Sequence, residues 1–151
     1  MKNILNLISY SFALLYLYAA SSKLIDYEEF KVQLGQSPVL TDYAGIVVWL
    51  VPAVEIVIAV LLVFQRTLLV GLYAAFALML MFIGYIMIIL YSGGQIPCNC
   101  GGLLDAMSWT QHLVFNSVFA VLGLIAILLH HSVTSNSAAV TSREAKRREV
   151  S

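Results

Sequence analysis

The chain has 151 residues, 61% of them hydrophobic and only 11% charged, with a formal net charge of zero and a mean hydropathy of +0.91. That balance excludes an ordinary soluble domain, in which about 25% of residues are charged. It also argues against nucleic-acid binding, which needs a basic face.

Four apolar runs each approach the ~20 residues that a helix needs to cross a bilayer core. Helix is the only option for such runs, because backbone groups in lipid must be satisfied within the segment. The expected fold is therefore an all-α integral membrane protein, a four-transmembrane-helix bundle. The first run extends from Ile4 to Ala20. Lys2 and the small residues Ala19-Ala20-Ser21 loosely fit a signal-peptide layout, but the run is long and Lys23 follows it like a helix-end anchor, so it reads as a retained span. Between Ser21 and Thr41 the Leu24, Tyr27, Phe30, Leu34 spacing predicts an outer amphipathic segment between the first two spans. The second run, Ala44 to Phe64, contains Pro52 and Glu55. The third, Leu68 to Leu90, carries Gly71 and Ala75 on one face, a small-residue pair suited to close helix packing. Met79, Met81 and Met87 in that run read as gap-fillers.

A loop with the only two cysteines follows, Pro97-Cys98-Asn99-Cys100-Gly101-Gly102. The fourth run, Leu113 to Leu129, has a legible start: Ser108-Trp109-Thr110-Gln111 fits a capping box. Tyr10, Trp49, Tyr91 and Trp109 fall where an interfacial aromatic belt is expected. Residues 132–151 are rich in Ser, Thr and charge, with no apolar periodicity, and read as a mostly disordered basic cytoplasmic tail. The chain thus divides into a membrane domain, residues 1–131, and that tail.

Charge asymmetry orients the bundle. Lys2, Arg66, Arg143, Lys146, Arg147 and Arg148, six of the eight basic residues, fall on one side. Lys23 and Lys31 lie on the other, beside Asp26, Glu28, Glu29 and Asp42. The basic side is expected to be cytoplasmic, with both termini there. The protein is then a multi-pass component of a bacterial inner membrane whose cysteine loop faces the periplasm, where disulfides persist.

Four polar residues in or near the spans need a reason. Glu55 lies near the middle of the second run, where an ionisable side chain costs about 2.5 kcal/mol or more and must face the interior with a partner. Lys23 is the basic residue placed to snorkel inward and supply one. Such a carboxylate reads either as part of a proton relay or cofactor wall, or as a polar pin between helices. His112 and Asn116, four apart, share a helix face near the cysteine loop. His112 reads as a proton acceptor for a cysteine or as a wetted interfacial side chain. Asn116 reads foremost as an interhelical hydrogen-bonding group.

A cysteine pair one residue apart closes almost no loop, so stabilisation is not its purpose. Bridging Cys98 to Cys100 demands a tight turn, for which Pro97 and the Gly101-Gly102 pair provide constraint and freedom. A strained, exposed disulfide exchanges readily. The expected chemistry is exchange: a partner thiolate attacks one sulfur, a mixed disulfide forms, and the second cysteine resolves it. The catalytic set so read is Cys98, Cys100, His112 and Glu55, with Lys23, Asn116, Gly101 and Gly102 supporting. Turnover requires an electron acceptor or donor, for which a quinone in the bundle or a periplasmic thioredoxin-like or disulfide-containing protein is the candidate. Two alternatives stay open: soft-metal handling, although two thiolates and a histidine fall short of a closed zinc site, and a non-enzymatic assembly or scaffold subunit.

Ser21-Ser22-Lys23-Leu24 closing the first span, Pro52-x-x-Glu55 in the second and a C-x-C-x-G loop before the fourth resemble the MauE/DoxX family of redox-associated membrane proteins, and within it the methylamine-utilisation MauE branch. The likeness covers about Asn3 to Leu129, departing where Gly101 stands in place of a bulkier residue. It implies a small four-helix membrane protein working with periplasmic thiol-disulfide partners. The branch that names the family is linked to maturation of a disulfide-rich methylamine dehydrogenase subunit.

Overall fold

The computed structural model describes residues 2–36, 40–91 and 108–149, with side chains described for 3–36, 40–91 and 108–135. The elements in chain order are α1 (Lys2–Ile25), α2 (Tyr27–Gly35), a 3₁₀ turn (Thr41–Tyr43), α3 (Ala44–Val63), α4 (Leu68–Tyr91) and α5 (Trp109–Glu149). Four helices are long and apolar enough to cross a membrane, over Asn3–Ile25, Thr41–Val63, Leu68–Tyr91 and Trp109–Ser135. The protein is a multi-pass, all-helical membrane protein, and the short α2 occupies the expected place between the first two spans.

The long helices form a ring. α1 packs along α3, α3 along α4, α4 along α5, and α5 closes back on α1. Successive spans alternate in direction, so the end of α1, α2, the start of α3, the end of α4 and the start of α5 share one end, called here the α2 end.

Away from that end the interior is tightly packed. Leu5, Phe12, Ala59, Leu62, Leu68, Leu72, Ala75 and Ala126 form a continuous buried core. Gly71 is needed for a close approach: a Cβ at that position would sit 3.0 Å from the backbone of Leu61 and Leu62. That contact realises the small-residue face of α4 and lets the α3 and α4 backbones meet. Gly123 on α5 similarly leaves room for the Phe12 and Phe76 rings, and Phe12 meets Phe119 edge to face at 5.3 Å. Polar groups in this half satisfy themselves locally: the Ser9 hydroxyl donates to the Leu5 carbonyl at 2.8 Å. Met79 joins the core, whereas Met81 and Met87 are exposed. The reading of all three as gap-fillers is corrected accordingly, because residues two and eight positions from Met79 on one helix cannot all share its inward face.

At the α2 end the chain bends without a loop. The Asp26 amide still donates to the Ser22 carbonyl, and the Phe30 amide donates to that of Asp26, while Asp26 itself leaves helical geometry with φ −97° and ψ 42°. α2 turns Phe30 and Leu34 onto Ala44 and Val48 at the start of α3, and Tyr27 stacks on Trp49 with ring centroids 5.1 Å apart. The apolar face of the amphipathic segment is therefore spent on the bundle. α5 continues to Glu149, past the apolar window that ends at Ser135. Beyond that point only local helix propensity supports it, since the sequence has no apolar stripe to pack.

Candidate functional site

The site is built from α1 and α3 first. Tyr16, Ala19 and Lys23 recur at helical spacing and share one face of α1. Glu55 lies on α3, three residues after Pro52. Pro52 lacks an N–H and leaves the preceding turn one hydrogen bond short, which membrane helices tolerate where neighbours pack closely. Lys23 Nζ donates to Glu55 Oε1 at 2.8 Å, with the lysine side chain 10% and the glutamate side chain 1% exposed. The ammonium also approaches the Ala19 carbonyl at 3.4 Å. Two rings flank it, Phe30 from α2 at 5.9 Å and Phe82 from α4 at 5.8 Å. Ring faces attract a desolvated cation, so one carboxylate, one carbonyl and two π faces replace the water that the ammonium gives up. The pairing anticipated between these two residues is present.

A cavity of about 520 Å³ opens beside this pair at the α2 end. Most of its wall is aliphatic or aromatic. Its polar groups include Tyr16, Lys23, Gln33, Glu55, His112 and Asn116. The Tyr16 hydroxyl donates to the Ala75 carbonyl at 2.8 Å, a cross-link from α1 to α4 at the floor of the cavity. Gln33 is buried on the face of α2 that looks into the bundle. His112 and Asn116 project from α5. Asn116 is 3% exposed, and neither its amide Nδ2 nor His112 Nδ1 has a hydrogen-bond partner. The start of α5 is fixed by the anticipated capping box: the Ser108 amide donates to Gln111 Oε1 at 2.8 Å, and the Gln111 amide to Ser108 Oγ at 3.3 Å. That clamp sets the register of His112 one turn further on.

The structure thus brings Lys23, Glu55, His112 and Asn116 to one cavity from three helices. Cys98, Cys100, Gly101 and Gly102 lie outside the described residues. Their segment joins Tyr91, the last residue of α4, to Ser108, the cap of α5. Tyr16, Gln33, Tyr85 and Trp109 also line the cavity and were not singled out as site residues from sequence. The signal for Tyr16 was there, seven residues before Lys23 on the same face; for Gln33, it was its place three residues after Phe30. His131, at the opposite end, meets the Tyr73 hydroxyl at 3.4 Å and takes no part. Among the described residues, no three His, Cys, Asp or Glu side chains come together as a metal site would require.

Fold and site together define a small four-span helical membrane protein with a buried lysine–glutamate pair at the wall of an apolar cavity. Residues 1–129 match the family model described as methylamine utilisation protein MauE, and the chain belongs to the MauE family. The resemblance read from the residues is borne out over nearly the range it covered, and the match stops short of the basic tail. No curated protein and no solved structure matches the chain.

Proposed function

We propose that this protein is a membrane thiol-disulfide redox component whose Cys98-Asn99-Cys100 loop exchanges disulfides or electrons with extracytoplasmic partner proteins. Membership of a family named for methylamine utilisation ties it to that process, with maturation of a disulfide-containing protein as its contribution. In this reading the termini and the Arg66 loop are cytoplasmic, residues 132–151 form a basic cytoplasmic tail, and the α2 end faces the periplasm.

One observation carries the reading. Lys23, Glu55, His112 and Asn116 gather on a single cavity at the end of the bundle to which the cysteine segment is tethered, between Tyr91 and Ser108. A structural pin would need only the ion pair. A buried carboxylate–ammonium pair together with a histidine gives a thiol couple groups that can hold and pass protons. Exchange balances without further reagents: the attacking thiolate forms one S–S bond, the cleaved sulfur leaves as thiolate, and resolution by the second cysteine returns the partner with its redox state changed.

The test is trapping. Cys98→Ser and Cys100→Ser are made singly in membranes, and non-reducing gels are probed for a mixed disulfide. One variant is expected to trap a periplasmic protein. If neither does, and the native pair stays reduced in an oxidising periplasm, the redox reading is lost. Activity retained by the double serine variant would point to a scaffold.

A further inference from the structure

We infer that the cavity at the α2 end is a binding site for a lipid-soluble quinone, held through its ring carbonyls by the Asn116 amide and the His112 imidazole.

Size and depth come first. About 520 Å³ lies within the range of small-molecule sites, roughly 300–1,000 Å³. Asn116 is the eighth residue of α5, which puts its Cα roughly 10 Å along the helix from the capped end. Glu55 is the twelfth residue of α3, roughly 16 Å from that helix's start by the same rise. The polar wall therefore reaches well into the hydrocarbon layer, below the level at which phospholipid esters sit.

Chemistry then selects the occupant. The wall is mostly apolar, and Leu15, Val51, Phe82 and Phe115 contribute to it, which suits a flat ring with an isoprenoid tail. Asn116 is almost fully buried, yet its Nδ2 donor has no partner, and neither has His112 Nδ1. A buried amide donor left unmade costs free energy, and an acyl chain has nothing to offer it. A carbonyl oxygen does. Lys23 is already engaged by Glu55, so a fatty-acid carboxylate finds no free cation there. A neutral ring carrying carbonyl acceptors fits both the apolar wall and the unmet donors.

As a ligand of the cavity the quinone stands on this geometry alone. As electron acceptor for the cysteine pair it rests on the function proposed above. There the balance closes: two thiols become one disulfide, releasing two electrons and two protons, which reduce the quinone to its quinol.

The experiment reads binding separately from thiol chemistry. Trp109 lines the cavity, whereas Trp49, the only other tryptophan, stacks outside it on Tyr27. In the full chain carrying Trp49→Phe, in nanodiscs, a short-chain ubiquinone is titrated against Trp109 fluorescence. Saturable quenching is expected, unchanged when both cysteines are serine. Asn116→Leu is expected to weaken binding about tenfold, the worth of a buried hydrogen bond, and Asn116→Gln, which keeps the donor, to restore most of it. Should Asn116→Leu fail to fold, as judged by helical circular dichroism, His112→Phe takes its place with the same expectation. Absence of saturable quenching in the parent chain, equal affinity in the folded leucine or phenylalanine variant, or displacement by oleate as effective as by quinone would each overturn the inference. Binding without trapped partners would overturn the redox reading and leave the site; trapped partners without binding would do the reverse.

Discussion

The two halves of the bundle solve the same problem differently. Away from α2, the helices meet through small residues and rings: Gly71 against the Leu61–Leu62 backbone and Gly123 beneath Phe12 and Phe76. At the α2 end they stand apart around a cavity and hold a lysine–glutamate pair between aromatic faces. Helices in lipid gain little from the hydrophobic effect and associate through packing and hydrogen bonds. The dry half therefore supplies most of the cohesion, and that surplus allows the other half to keep open volume and costly polar groups. Regions that work are drawn from the less stable parts of a structure.

This contrast can be broken experimentally. The largest effect is expected from splitting the ion pair. Lys23→Met leaves Glu55 uncompensated in the interior and should cost about 3–5 kcal/mol, whereas Lys23→Met with Glu55→Leu should recover most of the loss. Unfolding in mixed detergent micelles, arranged as a double-mutant cycle, reads the coupling. Near-additive losses would mean that the two side chains do not depend on one another. Next comes the dry half: Gly71→Ala puts a Cβ 3.0 Å from immovable backbone and should cost about 1–3 kcal/mol by overpacking. An unchanged midpoint in the same assay would show that α3 and α4 do not need their close approach. Tyr16→Phe removes the α1–α4 cross-link and should cost about 1–1.5 kcal/mol, with the loss confined to stability if Tyr16 is only the floor of the cavity. The smallest effect is expected at the exposed cap, where Ser108→Ala should cost about 0.5–1 kcal/mol and raise amide exchange only in the first turn of α5.

Glu55→Gln sharpens the contrast in another way. It keeps a side chain of the same shape that still accepts a hydrogen bond from Lys23, but it cannot take up a proton. Slower thiol exchange with the protein still folded is expected. Unchanged exchange would make Glu55 a packing pin.

What could be read from sequence follows the range of the physics. The spans were legible because lipid forces continuous apolar runs. The cap at Ser108–Gln111 was legible because it is local, and Lys23–Glu55 because the cost of a mid-span carboxylate demands a partner and few cations could reach it. Gly71 was legible as a small-residue face, though not which backbone it would meet. The cavity was not legible. It depends on where Gln33 of α2, Tyr16 of α1 and Asn116 of α5 arrive relative to one another, and helix periodicity fixes faces without fixing neighbours. The Tyr16–Ala75 bond joins residues 59 positions apart, and nothing local marks the carbonyl it chooses. The two rings around Lys23 were missed for the same reason. Each looked like ordinary core, and only their convergence makes a cation box.

The most direct test of the account is the redox state of the cysteine pair during turnover. Cells are given a brief pulse of a permeant dithiol, the reductant is removed, and free thiols are tagged with a maleimide that shifts the band on a gel. The account predicts that Cys98 and Cys100 return together to the disulfide in the parent chain and return more slowly in Glu55→Gln. A pair that stays reduced throughout in an oxidising periplasm would contradict it.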